Sequence, residues 1–407
     1  MNYKNNIAYL APEIPALSAT FVYQEILQLE KSGLNIHSVS IHRPINKALS
    51  TELENLEKRT FYLYEQAISN VIISNLFLFL FHPIRYFSTI AMVIADISRV
   101  GLFSHVGKGL GYRFFVAAGL VRFLRKNNID HIHANFAHIP TDITMYAAAL
   151  HGISFSFISH ANDLFERGWL LKEKVERAKF AVTISNFNKK FLVAKGANEE
   201  KINVIHCGVN TSSFNEREEK ALSTPPLLGS LGRMVEKKGF DVLILACSLL
   251  KKEGVEFKLQ LAGGGPLMAE LKDMAHRLDV SNEVEFIDSI SHEKVPEWIK
   301  SLDIFVLPCQ KDRNGDMDGI PVVLMESMLT GIPVVTTRIS GVPELVEDKV
   351  TGLLCEANDA TCLSDSLSAL IKSKSLRNDL IKNAVLKVKS EFELNENVDL
   401  LIKKLLS

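Results

Sequence analysis

The chain has 407 residues, of which 47% are hydrophobic and 23% charged, with a net charge of −1. This length accommodates two substantial domains, and near-neutrality excludes general nucleic-acid affinity. The five cysteines, Cys207, Cys247, Cys309, Cys355 and Cys362, are odd in number and lack C-x2-C spacing, so neither a zinc site nor a disulfide framework is expected, and a reducing compartment is.

In chain order, MNYKNNIAYLAPEIP has neither the basic start nor the apolar core of a secretory signal, so a cytoplasmic chain is expected. Ile7 to Leu10 reads as a strand, Thr20 to Ser32 as a helix and Ile36 to Ile41 as a second strand. After a polar stretch, Asn46 to Arg59, an apolar and aromatic region runs from Phe61 to about Leu124, broken at His82-Pro83. Arg59 to Lys126 carries eight Lys or Arg against Glu65 and Asp96. Neither Val71 to Phe81 nor Ile84 to Val100 reaches the roughly 18 to 20 apolar residues that span a bilayer. Apolar residues among excess cations suit a helix lying on anionic lipid, and equally a helix packing one face on the first sheet.

Strand signals resume at Ile129 to His133, Phe155 to Ser159 and Ala181 to Ile184, separated by helical patterns at Thr141 to Leu150 and Leu171 to Lys179. Such alternation predicts a parallel sheet covered by helices. A linker is expected over 209–226, dividing a first domain, 1–208 with its apolar basic region 61–126, from a second at 227–385. The second alternates five or six short apolar runs with helices. Two helical stretches, Leu376 to Phe392 and Asn395 to Leu406, close the chain.

Chemistry concentrates in two segments of the second domain. In LGRMVEKKGF, Arg233 and Lys238 fall in a strand-to-helix turn, where ligands of open α/β sheets bind. In DGIPVVLMESMLTG, Gly319, Ile320, Pro321 and Val322 open a helix, with Pro321 in its first turn. Helix N–H groups and dipole favour an anion there, and a diphosphate fits. Asp318 before the helix and Glu326 inside it can address hydroxyls at different distances from that phosphate. Arg233 and Lys238 are the cations such an anion needs beside two carboxylates. Taken singly, each of these residues is more ordinarily a solvated surface charge.

These segments, with LQLAGGGPLMAELKDMA, LDIFVLPC and SGVPELVEDKVTGLL, resemble the C-terminal half of the retaining glycosyltransferases of family 4. The N-terminal segments LAPEIPALSATFVYQEILQLEKSGLNIHSVSIHRP, IHANFAHIPTD and ISHANDLFERG resemble its colanic acid and amylovoran branch. The resemblance implies a GT-B fold, two Rossmann-like α/β/α domains facing across a cleft, with the terminal helix, 386–407, returning to the first domain. By that resemblance Arg233 and Lys238 bind the diphosphate and Glu326 the ribose, while Asp318 replaces the first Glu of an E-x7-E motif that touches the donor sugar. It places His160 near the donor sugar, and Gly264 and Gly265 in a glycine loop near the nucleotide. Asp288 stands where the family usually has glycine.

The implied activity is metal-independent, retaining transfer from a nucleoside-diphosphate sugar, UDP-linked, to a growing polyprenyl-diphosphate-linked oligosaccharide of a bacterial surface or exopolysaccharide. No cofactor is implied, and peripheral attachment to the cytoplasmic face of the inner membrane would follow from such an acceptor. Two other readings stay open: a non-catalytic scaffold that binds sugar nucleotide, and a GT-B epimerase or hydrolase. Asp316-Met317-Asp318 also spells the D-x-D of metal-dependent transferases, but Arg233 and Lys238 already supply the charge a metal would bring. His131, His133 and His138 have spacing for a metal yet no Cys or paired carboxylate nearby, and read as cleft-lining or core residues. Asp142, Asp163 and Glu166, near strand ends, could orient the acceptor or serve as caps and surface charges.

Overall fold

The computed structural model describes residues 6–16, 19–44, 50–214, 216 and 221–407. Parts of the polar stretch after Asn46 and of the expected linker lie outside the described residues. The chain divides into two units, Met1–Ile205 with Val398–Ser407, and His206–Asn397.

The first unit is built on seven strands: β1 (Asn6–Glu13), β2 (Asn35–His42), β3 (Phe61–Tyr62), β4 (His131–Asn135), β5 (Ser154–Ser159), β6 (Phe180–Thr183) and β7 (Ile202–Val204). Their order is β3-β2-β1-β4-β5-β6-β7, all parallel, with Tyr9 of β1 beside His133 of β4 and His133 beside Ser156 of β5. Such a sheet buries both faces, which is why β4 is buried throughout and reads as a run rather than an alternation. The strand order reverses between β1 and β4, and the C-terminal ends of that pair form the crevice where doubly wound sheets place ligands.

The second unit carries β8 (Leu227–Leu231), β9 (Lys258–Ala262), β10 (Val284–Ile287), β11 (Ile304–Leu307), β12 (Val334–Thr337) and β13 (Leu353–Cys355), in the order β10-β9-β8-β11-β12-β13. Again every pair is parallel, and Leu228 of β8 lies against Ile304 of β11. Its switch point is the β8/β11 pair. Leu228, Ile304, Phe305, Val306 and Leu307 are fully buried there, so the loops leaving these two strands stand on the most rigid part of the unit.

The apolar region of the first unit folds as three helices, Ile68–Phe81, Pro83–Val100 and His105–Lys126. His82 and Pro83 break it as expected, with the first two helices bent by 115°, because Pro83 cannot donate to the preceding turn. Among the described residues no single helix is long and apolar enough to cross a membrane. The first two helices nevertheless leave large side chains in solvent, among them Ile73, Leu80, Phe81, 67% exposed, and Ile84, 85% exposed.

One element was not foreseen and two expectations are corrected. The polar stretch before Arg59 contains a helix, Thr51–Arg59, whose Ser50 side chain accepts from Leu53 N–H and which buries only Leu53 and Leu56; two apolar contacts left little periodicity to read. Cys355 and Cys362 form a disulfide with Cα atoms 5.7 Å apart, where no disulfide was expected, because one cysteine ends β13 and the other opens the next helix, Ala360–Lys372. Pro321 is not in the first turn of its helix but is the N-cap of Val322–Leu329, with φ −64° and ψ 123°. It still fixes the angle at which the helix leaves the loop.

Candidate donor site and a buried histidine

Two glycine turns make the floor of the site in the second unit. Gly232 N–H donates to Ala262 O (3.0 Å), Met234 N–H to Gly264 O (2.8 Å) and Leu267 N–H to Met234 O (3.1 Å). This laces the turn after β8 to the turn after β9. A Cβ on Gly263, at φ +131°, would lie 2.1 Å from Gly232 O, and one on Gly265 would lie 2.5 Å from Met234 O, whereas Gly264 meets only Ser289 Oγ at 3.6 Å. Gly263 and Gly265 are therefore required by backbone contact, and Gly264 leaves open space over the loop.

The cations after β8 separate into two kinds. Arg233 is exposed, and its guanidinium has no hydrogen bond or ion pair among the described residues. Lys238 lays its stem against Gly232 and reaches Asp318 Oδ2 at 2.5 Å. Lys237 Nζ sits 2.8 Å from Asp316 Oδ2 and 3.5 Å from Asp318 Oδ1. One ammonium thus bridges both carboxylates of the D-x-D sequence. Gln310 fastens the arrangement, its N–H donating to Lys237 O (2.9 Å) and its side-chain amide to Glu236 O (2.7 Å) and Asp241 Oδ1 (3.3 Å). The turn after β8 is in this way tied to the loop after β11.

Charge state follows from these contacts. Burial alone would raise the Asp318 carboxyl, but the two lysines overcome it and hold it below the ordinary carboxylate range. Burial likewise works to lower Lys238, and Asp318 outweighs it. Cys309 Sγ lies 3.4 Å from Asp318 Oδ2, and burial pushes that thiol up, keeping it protonated. Glu326 differs from all of these. It is 6% exposed, it has no hydrogen bond or ion pair for its carboxyl among the described residues, and burial pushes it up to about 7. A buried carboxyl without a partner is costly. Gly319, Ile320 and Pro321 are buried and Val322 is half-buried at the opening of the same helix.

In the first unit His160 follows β5 directly and is 6% exposed. Its ring lies between Phe21 and Phe136, at centroid distances of 4.6 and 4.7 Å, and its Nε2 is 2.9 Å from Asn135 Oδ1. Burial holds it down to about 3, so it is neutral at any physiological pH. Asp163 staples the turn by accepting from Ala137 N–H (2.6 Å) and His160 N–H (3.0 Å). His131 and His133 both hydrogen-bond Ser156 Oγ, at 2.7 and 2.8 Å, as core residues do. His138 is the N-cap of the helix Ile139–His151, its ring accepting from Ile139 N–H. Among the described residues no group of three or more His, Cys, Asp or Glu could hold a metal ion.

Residues 212–387 match the model for glycosyl transferases group 1, and residues 85–213 that for glycosyltransferase family 4. The amylovoran biosynthesis glycosyltransferase AmsK of Erwinia amylovora is 27% identical over 400 residues, 95% of each chain. The putative colanic acid biosynthesis glycosyltransferase WcaL of Escherichia coli K12 is 34% identical over 268 residues, 64% of this chain and 63% of that one. Anabaena Alr3699/HepE, solved in complex with UDP, shares the fold with a TM-score of 0.74 over 98% of this chain and 99% of that one, at 16% identity. The chain is a family 4 glycosyltransferase with the GT-B fold.

Within this glycosyltransferase, sequence reading singled out Lys238 but passed over Lys237, its neighbour, which holds both Asp316 and Asp318. The KK pair was the available signal. Asn135 was passed over as well, since nothing local marks an Asn at the end of a strand. Asp142 is no acceptor-facing charge. It is fully buried, with Lys174 Nζ at 2.8 Å, Arg113 Nη1 at 3.0 Å and Trp169 Nε1 at 3.0 Å, and it holds the enzyme's first unit together. Glu166 turns back on Asn162.

Proposed function

We propose that this enzyme transfers a sugar from a nucleoside-diphosphate sugar, UDP-linked, to a growing lipid-linked oligosaccharide of an exopolysaccharide, with retention and without a metal. The observation that carries the reading is the β8/β11 switch point, where Lys238 and Lys237 flank Asp318, and Glu326, whose carboxyl has no partner among the described residues, lies inside the helix that opens just after it. Arg233, Lys238 and the N–H groups at Gly319, Ile320 and Val322 would take the diphosphate, with Gly264 and Gly265 beneath the nucleotide. Glu326 would bind the ribose, and Asp318 and His160 the donor sugar. Lys237 supports a metal-free site, because its ammonium already stands where a cation would bridge Asp316 and Asp318. The UDP complexes of the structural neighbour and the exopolysaccharide names of the relatives support the donor and the pathway. In the step itself the acceptor oxygen bonds the anomeric carbon as the bond to the phosphate oxygen breaks, and that oxygen takes the acceptor proton. Stabilising the leaving diphosphate is the largest contribution expected of such a site.

Glu326 gives the test. Its folded pKa lies above its unfolded value, 4.5 against about 7, so the stability it contributes is full below about pH 4.5 and is lost as pH rises through 7. Glu326→Gln should therefore raise the stability of the empty enzyme at pH 8 by on the order of 2–3 kcal/mol, and by nothing at pH 4.5. In a thermal-shift panel of UDP, GDP and their sugar conjugates with and without Mg²⁺, the wild type should be stabilised by the UDP series without metal, and Glu326→Gln should not. A response that requires Mg²⁺, or none from any conjugate, would overturn the reading.

The acceptor's lipid anchor fits the exposed apolar helices. Around them Arg125 stacks 5.1 Å over Phe77 and Arg122 holds Asn70 at 3.1 Å, and Asp96 is neutralised internally by Arg177 at 2.6 Å. Apolar side chains rimmed by cations, with no free carboxylate in those two helices, complement an anionic bilayer surface. The enzyme should co-sediment with phosphatidylglycerol vesicles and not with phosphatidylcholine alone, and Leu80→Asp with Phe81→Asp should release it. Unchanged sedimentation of that variant would remove this surface from the membrane.

A further inference from the structure

Four side chains from distant parts of the first unit form one hydrogen-bonded line. Tyr9 Oη on β1 donates to Glu25 Oε1, in the helix Thr20–Lys31, at 2.6 Å. Asn135 Nδ2, at the end of β4, donates to Tyr9 Oη at 2.6 Å, and Asn135 Oδ1 faces His160 Nε2 at 2.9 Å. The line crosses the β1/β4 switch point.

Its direction is not free. An ionised carboxylate can only accept, so with Glu25 charged the Tyr9 proton must point at Glu25. The Tyr9 oxygen must then accept, which turns the Asn135 amide NH2 toward it and leaves Oδ1 toward the histidine. His160 is obliged to carry its proton on Nε2, with the basic lone pair on Nδ1. The reversed line, with Asn135 donating to a bare Nε2, requires a protonated Glu25 that donates to Tyr9. We infer that Glu25, three hydrogen bonds from His160, is the positioning residue that sets its tautomer.

His160 is flanked by the rings of Phe21 and Phe136, and the Asp163 carboxylate binds its backbone N–H. His133 packs on Tyr9 at 5.4 Å, and it and His138 are both held down to about 3 by burial, so both stay neutral. Burial raises Glu25, against the Tyr9 hydrogen bond, to about 7, so its charge changes in the physiological range while its neighbours' charges do not, save Asp163, raised to about 6 by burial.

The inference rests on the role given to His160 above only where turnover is concerned, and the test separates the two. In the full chain with 15N-labelled histidine, imidazole nitrogen spectra at pH 8 should show His160 wholly as the Nε2–H tautomer. Glu25→Gln, whose amide can donate to or accept from Tyr9, should give a mixture, and so should Tyr9→Phe. Adding Asn135→Asp to Glu25→Gln should restore the single tautomer, because a carboxylate there accepts only. A single unchanged Nε2–H tautomer in both Glu25→Gln and Tyr9→Phe would overturn the inference. Glu25→Gln should also lower kcat several-fold with the donor KM unchanged. A tautomer shift without that loss would uphold the hydrogen-bond line and remove His160 from the reaction, while the nucleotide panel reads the donor site separately.

Discussion

Lys238→Ala should lower kcat by roughly 10²–10³, the loss typical of removing one preorganised donor from a site where charge develops. The size follows from where the ammonium already is. Lys238 sits 2.5 Å from Asp318, in a position whose desolvation has been met during folding, so on the proposed reading it needs no reorganisation when the diphosphate leaves. It also orients the carboxylate expected to hold the donor sugar. On the proposed reading its removal would damage both ends of the donor, although Lys237 at 3.5 Å from Asp318 keeps that carboxylate charged. Steady-state turnover with the donor that stabilises the wild type measures this, and a loss of less than about tenfold would remove Lys238 from the reaction. Arg233, exposed and with no partner for its guanidinium among the described residues, should affect donor KM more than kcat.

Asp142→Ala should destabilise the first unit by about 3–5 kcal/mol, because it strands the fully buried Lys174. Lys174 Nζ then keeps only the carbonyls of Ala137 and Trp169, at 2.6 and 2.9 Å. The protein has two tryptophans. Trp169 belongs to this cluster, and Trp298 lies in the other unit, bonded to Gln260 at 2.9 Å. Urea unfolding followed by fluorescence in a Trp298→Phe background therefore reads the first unit by itself. Pairing Asp142→Ala with Lys174→Met should recover most of the loss, since burying two apolar groups costs less than burying one charge. A midpoint shift worth less than about 1 kcal/mol for Asp142→Ala would mean that water reaches Lys174 and the cluster is not a closed one.

The contrast between these two residues shows what the sequence could carry. Arg233, Lys238, Asp318 and Glu326 lie in short segments whose glycines, proline and charges follow one another along the chain, so their chemistry is local enough to read. Asp142 and Asp163 carried the same letter and the same position near a strand end, and only the cations and N–H groups brought to them by other elements separate them from a binding carboxylate. Tyr9 and Asn135 are 126 residues apart and meet because β1 pairs with β4; no spacing rule announces such a pair. The alternation of strands and helices was legible because parallel strands buried on both faces must be apolar runs. The helix Thr51–Arg59 and the three-residue β7 were not, being too polar or too short to show a period. For the apolar region, hydrophobicity was plain from the letters, but which side chains remain in solvent is decided by the packing of three helices.

The division of the chain also bears on how it is made. The second unit is one unbroken stretch, while the first takes Val398–Ser407, with Leu401 and Leu405 buried, from beyond it. The second unit can close without any residue from outside His206–Asn397. The first unit, begun earlier, must wait nearly two hundred residues for its last piece, with the apolar side chains of its helices exposed meanwhile to chaperones or a nearby bilayer.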